Sequence, residues 1–215
     1  MLRRIVIPRN STSPTAPTRP LPEDPRTLIT SDQFNRADTE DGDLGATPDG
    51  FSWETDRFRI ESGRAIIDSG GASNLYRAVI NTGLTDVAVE ATFWPPNGGG
   101  GGGLAVRCGA VTMGPFYWLW GNGHSGSQTW RVRRLDGAQY VTVYDTGVPV
   151  VEGPHELGLT VSGDQLTIKV NGQEWSTTDS EVAGGTRVGV AAIPTNASGT
   201  TTRETIFDNI RIYEA

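Results

Sequence analysis

The feature that most constrains this fold is a series of short strand-like segments, each ended by glycine, asparagine or aspartate. Apolar residues alternate with other residues at 87–93, 157–161 and 166–170, and a period of two predicts strands with one buried face. The last of these segments runs into Asn171-Gly172, which suits the left-handed positions of a type I′ turn and predicts a tight hairpin. No helical period continues beyond about two turns.

Twelve such segments follow one another along the chain. They are predicted at residues 58–61, 64–68, 75–81, 86–94, 104–108, 116–120, 129–134, 140–144, 155–161, 165–170, 187–192 and 205–213. Many short strands joined by short turns predict an all-β fold of two packed antiparallel sheets. The six glycines of 98–103 are predicted to form a mobile loop between strands.

The amino-terminal segment differs from the rest of the 215-residue chain. Residues 1–30 hold six prolines and carry five arginines against two acidic residues, which predicts an extended arm without a packed core. The arm is either a disordered leader or a segment that docks on a neighbouring subunit. For docking, the candidate contact residues are Arg3, Arg4, Ile5 and Ile7. Residues 31–215 then form one domain, large enough to bury a core.

Charge and composition exclude several classes of function. The net charge of −7 argues against nucleic acid as a partner, since phosphate binding needs a basic surface. No run of 18 apolar residues is present, so no membrane span is predicted. The first residues hold too short an apolar stretch for a secretory signal, and we expect synthesis in a cytoplasm. Cys108 is the only cysteine, and its apolar surroundings predict a buried core residue.

Several stretches, taken in order, carry a resemblance to a known family. They are Asp-Gln-Phe-Asn-Arg-Ala-Asp at 32–38, Leu-Gly at 44–45, Gly-Phe-Ser-Trp at 50–53 and the closing Thr-Ile-Phe-Asp-Asn-Ile-Arg-Ile at 205–212. With these stretches the chain resembles concanavalin A-like (laminin-G-like) domains, of the variety found in minor tail and other virion proteins of bacteriophages of actinobacteria. The resemblance covers about residues 31–215. It implies a two-sheet antiparallel jelly-roll sandwich.

Some domains of this fold are glycoside hydrolases, so the sequence must be tested for their site. The resemblance implies a Glu-x-Asp-x-x-Glu pattern, or a form one residue shorter, on one strand, whose paired carboxylates act as nucleophile and acid. Glu54 and Asp56 match its start, but the next carboxylate is Glu61, and Phe58 and Arg59 hold the positions that need an acid. We therefore expect no catalytic residues and no enzyme.

Two other groupings give weaker signals. His124 precedes Ser125, but a nucleophilic serine needs a base placed across space and an acid that orients it. An acidic loop precedes the Leu-Gly at 44–45 and could offer oxygen ligands to calcium, although its spacing matches no EF-hand. Its members are Asp38, Glu40, Asp41 and Asp43. No metal ligand set is therefore assigned, and calcium is the one cofactor left open.

Aromatic residues are the candidates for ligand contact. Residues 116–120 read Phe-Tyr-Trp-Leu-Trp, so Tyr117 faces one side of its strand while Trp118 and Trp120 face the other. The resemblance implies a glycan groove on one sheet, and these tryptophans, with Trp130 adjacent, would stack on sugar rings. The alternative is that Trp118 and Trp120 belong to the core.

The resemblance implies a non-enzymatic phage virion protein, with a minor tail protein preferred. The arm would anchor it to other virion subunits, and the displayed sandwich would bind host cell-wall glycans. A capsid decoration protein, a free-standing glycan-binding module and a glycoside hydrolase are the alternatives. A homo-oligomer is expected, because virion assemblies are symmetric.

Overall fold

A computed structural model describes residues 26–67, 74–96, 100–110, 114–123, 128–137, 139–194 and 205–215. Fifteen strands and no helix lie within these ranges, and no segment there forms a helix that could cross a membrane. The strands are β1 (Leu28–Asp32), β2 (Glu54–Thr55), β3 (Arg59–Glu61), β4 (Arg64–Ile67), β5 (Tyr76–Asn81), β6 (Val87–Trp94), β7 (Gly101–Cys108), β8 (Phe116–Asn122), β9 (Thr129–Asp136), β10 (Gln139–Pro149), β11 (His155–Ser162), β12 (Gln165–Val170), β13 (Gln173–Thr178), β14 (Arg187–Ile193) and β15 (Thr205–Glu214).

The strands form two antiparallel sheets, which confirms the predicted fold class. The eight-stranded sheet has the order β13-β12-β11-β6-β15-β4-β3, with β1 also paired to β15. The seven-stranded sheet has the order β10-β9-β8-β7-β14-β5-β2. About half of the paired strands are distant in sequence, such as β6 with β15 and β7 with β14, as in a sandwich with crossing connections.

The main core lies between the two sheets. The alternating residues predicted to face inward, such as Val89, Leu159 and Ile168, are fully buried there. Aromatic rings fill its centre, where Phe93 packs against Phe207 at 5.0 Å and against Trp130 at 5.5 Å. The side chains of the two inner faces interdigitate, and this close packing stabilises the sandwich.

All twelve predicted strands are present, with small shifts of their ends, and three further strands are not in the prediction. β1, β2 and β13 are short or polar, so their sequences show little alternation. The prediction of a loop at 98–103 is wrong for Gly101–Gly103, which begin β7 and are buried. A Cβ on Gly103 would lie 1.8 Å from the Leu119 carbonyl oxygen, so β7 and β8 pair only because that residue is glycine.

The hairpin predicted at Asn171-Gly172 is confirmed. Both residues have positive φ, 50° and 80°, and Val170 pairs directly with Gln173 across the turn. The Asn171 side chain also accepts a hydrogen bond from the Glu156 backbone N–H at 2.9 Å. This turn therefore both reverses the chain and ties it to the neighbouring strand.

The first stretch of the family resemblance is a structural clamp around Asp32. Its buried carboxylate accepts hydrogen bonds from both terminal nitrogens of Arg36, at 2.7 and 2.9 Å, and from the Trp53 indole N–H at 2.8 Å. The Phe34 backbone N–H donates a further bond at 2.8 Å, with Phe34 at a φ of 53°. The clamp joins β1 to the loop that precedes β2.

The sandwich begins slightly before the predicted boundary at residue 31. β1 starts at Leu28, which pairs with Tyr213 of β15. Arg26 lies before β1, stacks over the Tyr213 ring at 4.2 Å and binds Glu90 at 2.5 Å. The candidate arm residues Arg3, Arg4, Ile5 and Ile7 lie outside the described residues, and their role stays a prediction.

Candidate functional site

The seven-stranded sheet is apolar on both faces. One face packs against the eight-stranded sheet, and the other, called here the outer face, carries a second apolar cluster. Its members are Leu75, Val79, Ala105, Cys108, Phe116, Trp118, Trp120, Leu135 and Ala191. Cys108 is fully buried there, as predicted, and burial raises the pKa of its thiol to about 12. The outer face is the one on which the sequence placed a glycan site.

Trp118 and Trp120 lie side by side on this outer face, as the alternation along β8 predicted. Their rings are 6.0 Å apart and nearly perpendicular. Only 1% of Trp118 and 8% of Trp120 is exposed, however, so neither offers the open ring that stacking on a sugar requires. The two indoles form a supporting layer, and a ligand on this face would meet the side chains above them.

Trp130 faces the other way, which corrects its predicted place beside the other two tryptophans. It is fully buried between the sheets, edge-on to Phe93 at 5.5 Å and to His155 at 5.1 Å. A Cβ on Gly121 would lie 2.7 Å from the Trp130 ring, so the indole fills the space that this glycine leaves. Trp130 is a core residue.

Two side chains from the next strands lie over the buried indoles. The Arg133 guanidinium of β9 stacks over the Trp120 ring at 3.9 Å, and the Tyr140 ring of β10 lies 6.1 Å from Trp118. Tyr140 is 37% exposed. These four residues are called here the Arg133–Tyr140 patch, and within the described residues Tyr140 is the only aromatic among the large exposed hydrophobic side chains.

The sequence prediction missed Arg133 and Tyr140. The signal that could have found them is register, because Trp118 pairs with Arg133 across β8 and β9, and Leu135 pairs with Tyr140 across β9 and β10. Residues directly opposite in antiparallel strands share a face. That register follows from the pairing of strands, which the sequence pattern alone does not give.

The electrostatics of the patch favour a ligand with acceptors. Burial lowers the pKa of Arg133, and the like charge of Arg131 adds to this effect. Burial also raises the pKa of the Tyr140 hydroxyl, although Arg133 acts in the opposite direction. At neutral pH the patch therefore offers a cation on an indole face and a neutral phenol beside it.

The carboxylates of the outer face are held by arginines. Glu54 accepts a hydrogen bond from Arg187 at 2.8 Å, and Asp145 accepts one from Arg131 at 2.7 Å. Burial opposes ionisation of Asp145, but hydrogen bonds from the Gly147 N–H and from Arg131 help to lower its pKa overall. Both carboxylates are thus engaged by arginines.

The carboxylates of the tested hydrolase pattern do not come together on one strand. Glu54 lies on β2 of the seven-stranded sheet, whereas Glu61 lies on β3 of the eight-stranded sheet. A polar cavity of about 370 Å³ lies beside Glu54, Asp56 and Arg77 at the β2 edge. Glu61 does not line this cavity; it pairs with Arg59 at 2.7 Å.

The acidic loop that the sequence offered for calcium lies within the described residues. Asp38 and Asp43 cap backbone N–H groups of Ser62 and Gly45, and Asp41 pairs with Arg59. Among the described residues no three His, Cys, Asp or Glu side chains gather as metal ligands do. His124 and Ser125 lie outside the described residues.

Comparison with known proteins adds the class of fold. No family model and no curated sequence matches the chain. The carbohydrate-binding module CBM66 from Bacillus subtilis is 14% identical with a TM-score of 0.50, over 86% of this chain and 96% of that one. A Bacillus licheniformis β-glucanase is 11% identical with a TM-score of 0.56, over 89% and 100% of the two chains.

A third similar structure is the catalytic domain of an endo-1,3-β-glucanase from Thermotoga petrophila. It is 14% identical with a TM-score of 0.54, over 88% of this chain and 98% of that one. At such identities the likeness shows the fold alone. The chain is a jelly-roll sandwich of the concanavalin A-like kind, a fold found in both carbohydrate-binding modules and glycoside hydrolases.

Proposed function

We propose that this chain is a non-catalytic glycan-binding domain whose contact surface is the Arg133–Tyr140 patch. One observation carries the proposal: an exposed Tyr140 ring and the Arg133 guanidinium lie over two buried indoles on the outer face. A rigid aromatic face can stack on a pyranose ring, and an adjacent guanidinium can donate to its hydroxyls. The buried indoles hold both groups in place.

The chemistry around the patch supports binding over hydrolysis. A retaining glycosidase needs two carboxyl groups about 5 Å apart, and an inverting one needs them about 6.5–9.5 Å apart. The outer positions of β8 and β9 hold aromatic residues and arginines, and the outer-face carboxylates Glu54 and Asp145 are engaged by arginines. Hydrolysis is thus the second candidate, favoured only by the shared fold.

The proposal is tested by binding of the full chain to a panel of labelled polysaccharides, with and without calcium. Tyr140→Ala should weaken binding at least tenfold, which corresponds to about 1.4 kcal/mol of lost contact, while Tyr140→Phe keeps most of it. The matched control is Val141→Ala, because Val141 is equally exposed on the same strand, at 39%, and points to the other side. No saturable binding to any glycan, or equal binding by Tyr140→Ala, overturns the proposal.

We propose a phage virion as the setting in which the domain works, as a minor tail protein. Support comes from the sequence resemblance and from the proline- and arginine-rich segment 1–30, which suits an anchoring arm. The sandwich would then display the patch to the cell wall. Deletion of residues 1–25 should leave a folded domain that no longer enters particles, and normal incorporation of this truncated chain contradicts the anchoring role.

A further inference from the structure

The outer face carries more positive charge than its carboxylates neutralise. Four arginines lie at outer positions of the described strands of this sheet, against the two carboxylates Glu54 and Asp145. Arg131 and Arg187 are the arginines that hold these carboxylates. Arg77 and Arg133 have no carboxylate within ion-pair distance among the described residues. Counted over these strand positions alone, the arginines exceed the carboxylates by two, in contrast to the net charge of −7 of the whole chain. Asp56, which follows β2 and lines the cavity with Arg77, is not in this count.

The same face holds buried hydrogen-bond donors. The indole N–H groups of Trp118 and Trp120 and the Nε–H groups of Arg77 and Arg133 are buried without a partner in the described residues, as are a few others elsewhere, such as the Trp130 indole N–H in the core. An unsatisfied buried donor is costly. All four groups donate, so a ligand that reached them would have to bring acceptors.

The two unneutralised arginines are well separated across the sheet. Arg77 lies on β5 and Arg133 on β9, four strands apart in the order β9-β8-β7-β14-β5. At about 4.8 Å between neighbouring strands, their backbones are roughly 19 Å apart. Arg77 is 95% buried, since only 5% is exposed, and it lines the polar cavity beside Glu54. Arg133 is the more exposed of the two, so a negatively charged polymer on this face would meet Arg133 first.

We propose that the Arg133–Tyr140 patch binds a carboxylate-bearing sugar, a uronic acid unit of an acidic polysaccharide that lies across the outer face. The inference rests on the proposed function and names its ligand class. The sugar ring stacks on Tyr140, and the carboxylate attached to that ring accepts from the Arg133 guanidinium. The Arg133 guanidinium lies over Trp120 at 3.9 Å, and a planar guanidinium can bind a planar carboxylate through two parallel hydrogen bonds.

The test compares two polymers that share a backbone and differ in charge, together with a third polyanion that carries phosphate in place of carboxylate. The full chain is titrated with polygalacturonate, with its methyl ester and with poly(glycerol phosphate), at low and at physiological ionic strength. We expect the methyl ester to bind at least tenfold more weakly than polygalacturonate. We also expect salt to weaken binding of polygalacturonate more than binding of the ester, because salt screens exposed charges.

Variants then locate the effect. Residues 1–30 carry five arginines of their own, so binding of any polyanion by the full chain is not enough. Arg133→Gln should lower affinity for polygalacturonate at least tenfold while its affinity for the methyl ester changes less than threefold. The matched control is Arg211→Gln, which removes the same charge from an exposed position on β15 of the other sheet and should leave both affinities unchanged.

The outcomes separate the two proposals. Equal affinity for polygalacturonate and its ester overturns the carboxylate inference but leaves glycan binding intact. Equal losses in Arg133→Gln and Arg211→Gln also overturn it, since binding then follows total charge. Tighter binding of poly(glycerol phosphate) overturns the choice of a carboxylate. Absence of binding to all three polymers, in a chain whose melting curve shows it folded, overturns the inference; the proposed function is overturned only if the wider polysaccharide panel also shows no saturable binding.

Discussion

Removal of the Asp32 carboxylate should lower the free energy of unfolding of this domain more than removal of a surface carboxylate. The carboxylate is buried and accepts four hydrogen bonds, two of them from Arg36 and one from the Trp53 indole. Breaking a buried ion pair by deletion of one partner costs about 3–5 kcal/mol. An indole N–H left unpaired costs about 1–3 kcal/mol.

These terms do not simply add, because the Arg36 side chain is 29% exposed and water can hydrate its stranded charge. We therefore expect Asp32→Ala to lower the free energy of unfolding by about 4 kcal/mol, and the melting temperature by roughly 8–16 °C for a domain of this size. Asp32→Asn keeps the volume and some acceptors, so it should lose about half as much.

Urea unfolding followed by tryptophan fluorescence measures the effect. The matched control is Asp49→Ala, because Asp49 makes one hydrogen bond to Thr30 at 3.0 Å and lies exposed; it should cost less than about 1 kcal/mol. A double-mutant cycle with Arg36→Met should give a coupling energy of about 2 kcal/mol. A loss below about 1 kcal/mol in Asp32→Ala, or no coupling, refutes the clamp as a source of stability.

Three further predictions follow from buried groups. Trp130→Ala removes the indole packed against Phe93, and should cost about 3–5 kcal/mol in the same urea assay; a near-neutral result contradicts its assignment to the core. Burial opposes ionisation of Asp179, but bonds from Tyr117, the Glu181 N–H and Arg134 lower its pKa overall. The stability that this shift contributes is present above the pKa of Asp179 in the unfolded chain and is lost as pH falls through its lower pKa in the folded chain. Asp179→Asn should therefore reduce the loss of folding stability at acidic pH. An unchanged dependence of stability on acidic pH refutes this prediction. Cys108, with a thiol pKa near 12 and no exposure, should resist a thiol reagent at pH 8 until the chain unfolds; rapid native labelling contradicts its burial.

The alternation of apolar residues allowed most strands to be predicted from the sequence, and the number and spacing of these strands predicted the sandwich. Val89 and Leu159 belong to series of large apolar residues at every second position, because one face of each strand lies in the core between the sheets. This local pattern can be recognised without knowing which strands pair. The hairpin at Asn171-Gly172 could also be predicted, because the backbone conformation of the turn depends on those two residues themselves. Short or polar strands such as β1 and β13 carry no such signal, and only their pairing with β15 and β12 identifies them.

The candidate site needed the tertiary structure. The sequence places Trp118 and Trp120 on one face of β8, but their exposure depends on what lies above them, and register across β9 and β10 brings Arg133 and Tyr140 there. Trp130 reads as an aromatic like the others, yet the pleat of β9 turns it into the core. By itself, the sequence determined the class of fold and which residues of a single strand share a face, because both follow from period and turn chemistry. Only the tertiary structure decided which of those faces lies in the core and which residues meet solvent, because that depends on which strands pair.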